Sequence, residues 1–166
     1  METPRDIFLM QQTYATLFSL ANKLQVKGDQ FLKNFTARQF MTMIAIVHLP
    51  EGEASLNNIA RKLGTTKQNV KQVVDLIEKK GYVVTMPSSR DKRAVNIVIT
   101  QAGFQAATET SEQGQEYFHI LFHDFTQEEL ETFWNLLKKL YRYDGEEQDG
   151  FEEEVESYNL YEGESK

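Results

Sequence analysis

Apolar residues at Ile7, Met10, Tyr14, Leu17, Ala21 and Leu24 recur at alternating steps of three and four. That spacing predicts a helix over Ile7–Leu24 with a heptad-like seam. Phe8, Leu9, Phe18 and Leu20 fall off the seam, so the helix is apolar over more than one face. Two readings stay open: burial against a second chain as well as this one, or a central helix of a monomeric core.

Thr36 followed by Gln39 reads as a capping box that opens a second helix, with Phe40, Met43, Ile44 and Val47 on its apolar face. Pro50 and Gly52 end it. Ser55 caps a short helix through Leu56, Ile59, Ala60 and Leu63; Gly64, Thr65 and Thr66 then lead into a stronger one ending at Lys80. Val70, Val73, Val74 and Ile77 form its buried stripe, and Gly81 stops it. The β-rich runs Tyr82–Met86 and Val95–Ile99 flank a polar turn, Pro87 to Ala94, and so predict a hairpin. Thr100 caps a long helix reaching about Asp124. Thr126 with Glu129 opens a last one, with Leu130, Phe133, Trp134, Leu137, Leu140 and Tyr141 inward.

Charge changes the picture only when divided by segment. The 166-residue chain has 18 basic and 25 acidic residues, a formal net charge of −7, which taken whole argues against binding an anionic polymer. Ten of the acids, against the single base Lys166, lie in residues 144–166, so this tail carries −9 and residues 1–143 carry +2. Composition alone predicts disorder for the tail, although Phe151, Val155, Tyr158, Leu160 and Tyr161 interrupt the acids. Between Ser55 and Arg93, nine bases face three acids, giving +6 in 39 residues.

Two short helices around a Gly-containing turn form a helix-turn-helix, and the hairpin adds a wing. With the valines of the second helix turned inward, its opposite face presents Lys67, Gln68, Lys71, Gln72 and Asp75, with Asn69 near the start. Gln and Asn can pair with adenine edges, and Lys can reach guanine acceptors or phosphates. Thr65 and Thr66 at the helix start suit a backbone phosphate. Arg90, Lys92 and Arg93 occupy the wing tip, where an Arg can enter a minor groove; Arg93 could instead pair with Asp91 and only shape the loop. The expected DNA-binding set is therefore Thr65, Thr66, Lys67, Gln68, Asn69, Lys71, Gln72, Arg90, Lys92 and Arg93.

The run Leu63–Val70, followed by Ile77-Glu78-Lys79-Lys80-Gly81-Tyr82-Val83, resembles the recognition helix and first wing strand of MarR-family transcriptional regulators. Asp91-Lys92-Arg93 matches that family's Asp-x-Arg signature, and Ile99-Thr100-Gln101-Ala102-Gly103 resembles the Leu-Thr-x-x-Gly that opens its long fifth helix. The similarity runs from Thr36 to Tyr143 in order and spacing; Ile7–Leu24 matches only in pattern. The resemblance implies a mainly α fold with a small β-hairpin wing: a winged helix-turn-helix at about 36–100, dimerisation helices at about 6–34 and 101–143, and an acidic tail at 144–166. It further implies a homodimer that binds a pseudo-palindromic operator in double-stranded DNA. Its two recognition helices then enter major grooves about one turn apart. Such regulators are usually repressors released by a small-molecule effector bound between the dimer helices and the DNA-binding lobe. With no cysteine, thiol-oxidation sensing is unavailable, and the family supplies no role for the tail.

Other chemistry finds little footing. Zero cysteines exclude a disulfide framework and Cys-ligated zinc, and fit a reducing cytoplasm. The N-terminus lacks a secretory pattern, and the densest apolar run, Phe40–Val47, is far short of a membrane span; a soluble cytoplasmic protein is expected. His119 and His123, four apart, could share a helix face as metal ligands with His48, Glu116 or Asp124, but two histidines in an aromatic run are more often core or interface, so no metal or other cofactor is expected. Phe8, Tyr14 and Phe18 could line a small-molecule pocket, though at helical spacing such residues more often form core. No catalytic constellation is present, so no enzyme is expected. The alternative to a DNA-binding regulator is a winged-helix protein-interaction module whose acidic tail or helices bind a protein partner. For the tail itself the charge pattern suggests competition with DNA for Lys67, Lys71, Arg90 and Lys92, against the plainer reading of a solvated, solubilising segment.

Overall fold

The computed structural model describes residues 3–87, 95–147 and Phe151. In chain order the elements are α1 (Pro4–Phe31), α2 (Ala37–Val47), α3 (Leu56–Lys62), α4 (Lys67–Lys79), β1 (Val83–Pro87), β2 (Val95–Ile99), α5 (Gln101–Phe122) and α6 (Gln127–Tyr141), followed by one 3-10 turn at Arg142–Asp144. This is the winged helix-turn-helix architecture expected: mainly α, with one antiparallel hairpin in which Val83 faces Ile99 and Pro87 faces Val95.

Helix starts follow the sequence closely because short polar side chains satisfy the first free amides. Three capping boxes form. Thr36 Oγ1 accepts from the Gln39 amide at 3.2 Å while Gln39 Oε1 accepts from the Thr36 amide. Thr126 and Glu129 make the same exchange, as do Thr3 and Asp6. The third box lies N-terminal to the expected start of the first helix, and Pro4 occupies its first turn, so α1 begins earlier than its apolar seam does. Hydrogen bonds from the Thr3 side chain, then from its backbone, hold the Asp6 carboxyl below the usual carboxylate range. The Thr126 backbone, then its side chain, do the same for Glu129.

Helix ends in the central lobe use glycine. The Gly64 amide donates to Arg61 O and the Thr65 amide to Ala60 O, with Gly64 at φ +61°, a Schellman closure that turns the chain from α3 into α4. The same pattern closes α4, where the Tyr82 amide still donates to Ile77 O. Tyr82 therefore belongs to the helix cap, and the first strand begins one residue later than expected. Thr100 locks the hairpin to α5: its amide donates to Tyr82 O, its hydroxyl to Gly81 O, and its Oγ1 accepts from the Gly103 amide. A methyl group on Gly103 would collide with the Tyr82 carbonyl, which explains glycine at this helix position.

The core sits inside the central lobe. Met43 of α2, Ile59 of α3, Val70 and Ile77 of α4 and Val83 of β1 are almost wholly buried, and Ile97, Ile99 and Ala106 close one side. Helix α2 is packed by α1, α3, α4, α5 and β2. Its expected face is accordingly corrected: Gln39, Thr42, Ala45 and Ile46 join Met43 as buried, while Phe40, Ile44 and Val47 are only partly so. A helix surrounded on several sides has no single apolar stripe to read.

The terminal helices contrast with this. Gly28 is the one buried residue among those described in α1, and none in α6 is buried. Tyr14 is 75% exposed, Phe18 68% and Leu136 57%. A central position for α1 in a monomeric core is thereby excluded. The expected inward set on α6 is also corrected: Leu130 and Phe133 are half-buried, whereas Trp134, Leu137, Leu140 and Tyr141 stay exposed within one chain.

Candidate nucleic-acid interface

Burial of Val70, Val74 and Ile77 fixes the rotation of α4, so the opposite face must meet solvent. Thr65, Thr66, Lys67, Gln68, Asn69, Lys71 and Gln72 are all exposed there, and the structure brings these seven expected contacts onto one continuous surface. The expected contacts Arg90, Lys92 and Arg93 lie outside the described residues.

The seven are not equally available. Thr66 is the α4 cap, accepting from the Asn69 amide at 3.2 Å, and Asn69 Nδ2 donates to Thr65 Oγ1 at 3.2 Å. These three groups shape the helix start. Lys71 Nζ donates to both carboxylate oxygens of Asp75, at 2.7 and 3.0 Å, an exposed pair that a phosphate can outcompete at little cost. Among the described residues, the side chains of Lys67, Gln68 and Gln72 have no partner, so an ammonium and two amides project freely.

Two of the bases counted in the +6 are used differently. Lys80 Nζ donates to Asn34 O at 2.9 Å and Gln39 Oε1 at 2.8 Å, tying the end of α4 to the α1–α2 connection. Lys62 is only 5% exposed and lies 5.5 Å from the centre of the Phe151 ring. Charge counting along the chain could not separate such structural lysines from free ones.

Residues 52–55 support the wing from beneath. Asn96 Nδ2 donates to Gly52 O at 2.7 Å, and the Ile97 amide to Ala54 O at 2.9 Å, holding β2 against the start of α3. Sequence reasoning missed Asn96, because a polar residue inside a β-rich run carries no motif.

A groove of about 1110 Å³ opens between α1, the α3–α4 turn, α6 and the segment after it. Tyr14, Phe18 and Trp134 line its apolar side; Arg61, Asp144 and Glu146 provide charge. Tyr14 and Phe18 are thus groove residues, and Phe8 is not among them. Thr65 is part of the same wall, so the groove reaches the start of the recognition helix.

His119 and His123 do share a face of α5 with Glu112 and Glu116, beside a shallow open depression. His123 Nε2 pairs with Asp124 at 3.0 Å, and His48 lies at the C-cap of α2 with its ring against Phe151. Among the described residues no three His, Asp or Glu side chains are placed to hold a metal ion. Likewise, no described helix is long and apolar enough to cross a membrane.

Comparison with known proteins agrees with this geometry. Residues 33–94 match the model of the MarR family. The chain is 27% identical over 132 residues to the uncharacterized HTH-type transcriptional regulator YpoP of Bacillus subtilis, covering 80% of this chain and 93% of that one. It is 24% identical to the transcriptional repressor MprA of Escherichia coli, covering 79% and 76%. Among solved structures, a MarR/EmrR family regulator from Acinetobacter superposes with a TM-score of 0.72 at 25% identity, covering 81% and 95%. The organohalide-sensing regulator RdhR in its 2,4-dichlorophenol-bound form gives 0.72 at 19%, covering 82% and 81%. MepR of S. aureus, in complex with DNA, gives 0.66 at 22%, covering 85% and 98%. The last two likenesses are of fold. The family match lies on the helix-turn-helix, and along most of its length the chain is similar in architecture to MarR-family winged helix-turn-helix transcriptional regulators.

Proposed function

We propose that this protein is a homodimeric transcriptional repressor that binds a pseudo-palindromic operator through α4 and the wing, and that a small molecule in the α1–α6 groove releases it. The observation that carries the DNA-binding part is the free set Lys67, Gln68 and Gln72 on an exposed face whose rotation the core fixes. Two amides for base edges and a cation for phosphate are what direct readout in a major groove requires.

Dimerisation is supported by apolar faces on α1 and α6 that the described residues leave uncovered. A two-fold dimer of such lobes sets its recognition helices one or more DNA turns apart and so selects an inverted repeat. Repression follows the relative MprA, named a repressor. Release by a ligand is supported by the groove itself, which touches both the terminal helices and Thr65, and by RdhR, a fold neighbour solved with 2,4-dichlorophenol.

Selection of bound duplexes from a random pool tests the proposal. An inverted repeat with half-sites about 10 base pairs apart is expected. A selection that returns no common sequence, together with DNA affinity that ignores salt, would instead favour the protein-interaction module. Trp134, the chain's single tryptophan, lines the groove, so its fluorescence reports candidate effectors directly.

A further inference from the structure

The described part of the C-terminal segment touches the helix-turn-helix. The Tyr141 hydroxyl lies over Gly64, where an added Cβ would be 3.4 Å from it. Beyond the 3-10 turn, Phe151 rests half-buried against the core of the central lobe. Its ring stands edge-on to His48, centroids 5.4 Å apart, and the Lys62 ammonium lies 5.5 Å from its centre. An aromatic ring against a lysine that is 5% exposed is an anchored position, because dislodging it would open both apolar and charged surface to water.

The stretch of chain after that anchor is strongly acidic. Glu152, Glu153, Glu154 and Glu156 come directly after Phe151, and Glu162 and Glu164 lie further on. Lys67 is five residues beyond Lys62 in the sequence, so the two Cα atoms can be no more than about 18 Å apart. Residues 152–166 add fifteen residues of chain after Phe151, a reach of up to about 50 Å, well beyond that separation. The exposed face that begins at Lys67 carries two lysines, Lys67 and Lys71, and among the described residues Asp75 is the one carboxylate paired with them.

We propose that residues 152–166 lie across the exposed face of α4 in the DNA-free protein, held there by Phe151 in its His48–Lys62 seat, and compete with DNA for Lys67 and Lys71. The occupant is a segment of this same chain, chosen by its attachment point, its length and its opposite charge. This inference rests on α4 being the DNA-contacting helix. Its consequence is selective: non-specific binding depends almost wholly on phosphate contacts, so the tail suppresses it more than operator binding, which adds base contacts.

The test uses the full chain in three variants: Phe151→Ala, Phe151→Tyr, and the combined Glu152→Gln, Glu153→Gln, Glu154→Gln and Glu156→Gln. Affinity for a non-operator duplex is measured from low to high salt, and amide spectra are recorded without DNA. Phe151→Ala and the combined Gln variant should each tighten non-specific binding about tenfold at low salt, converging with the native chain as salt rises. Phe151→Tyr should leave it unchanged. Without DNA, the amide resonances of residues 67–72 should move in both tightening variants. A free tail acting through net charge alone would tighten binding in the Gln variant and leave Phe151→Ala unchanged, which overturns the proposal. If Phe151→Ala damages the lobe, its DNA affinity falls, and the amides of the Gln variant decide: unmoved resonances at 67–72 overturn the proposal, moved ones support it. If no variant binds any DNA while those amides still move, the tail contact stands and the DNA reading of α4 fails.

Discussion

Gln68 and Gln72 lie one helical turn apart on the solvent side of α4, each with an amide able to donate to and accept from an adenine edge. Replacing Gln72 by Ala should cost about 1–3 kcal/mol at the operator and relax preference at one base position, leaving non-operator binding unchanged. Competition against base-substituted operators measures this; equal weakening on every sequence would reassign the residue to the backbone. Lys67→Ala should do the opposite, weakening all duplexes alike and lowering the salt slope by about one. The sequence pattern located this face because α4 has one clean apolar stripe, so everything opposite it had to be exposed. It could not show which lysines are free: Lys80 is consumed by Asn34 and Gln39, partners more than 40 positions away. Gly103 gives a stability counterpart. Gly103→Ala pushes a methyl into the Tyr82 carbonyl and should lower stability by about 1–3 kcal/mol in thermal unfolding; an unchanged melting temperature would contradict the packing described.

Among the elements, starts were more legible than faces. Ser, Thr and Gln at fixed offsets announce a cap whatever surrounds the helix, and the boxes at Thr36 and Thr126 form as read. Faces depend on neighbours. α2 is enclosed on several sides, so its buried set includes Gln39 and Thr42, which no apolar periodicity reveals. The Thr126 box also carries a pH dependence. Hydrogen bonds lower the Glu129 carboxyl in the folded protein, so its contribution is complete above the ordinary carboxylate range, near pH 4, and is lost as pH falls through the lowered value. Thr126→Ala should therefore reduce stability at neutral pH and flatten part of the loss between about pH 5 and pH 3. Parallel acid curves for the two proteins would show that the box contributes nothing.

For the molecule as a whole, α1 and α6 present apolar surface outside the groove that the described residues leave open: Phe8 and Met10 on the first, Leu136 on the second. The excess on α1 was visible in its sequence, since a seam plus off-seam aromatics exceeds what one partner can cover. The faces of α6 were not, because a periodic pattern says that a stripe is buried and not by which chain. Sedimentation should give a dimer, and Phe8→Asp, outside the groove, should shift it toward monomer with loss of operator binding; a native chain that stays monomeric at high concentration would refute the dimer. The central claim is that the +6 module, inside a chain of net charge −7, binds DNA. Its most direct test is the affinity of the native protein for its selected operator across a salt series. With six to ten phosphates engaged, affinity should fall by roughly 10³–10⁵ between 50 and 200 mM salt on a straight log–log line. Negligible binding at the lowest salt, or binding that is flat across the series, would contradict it.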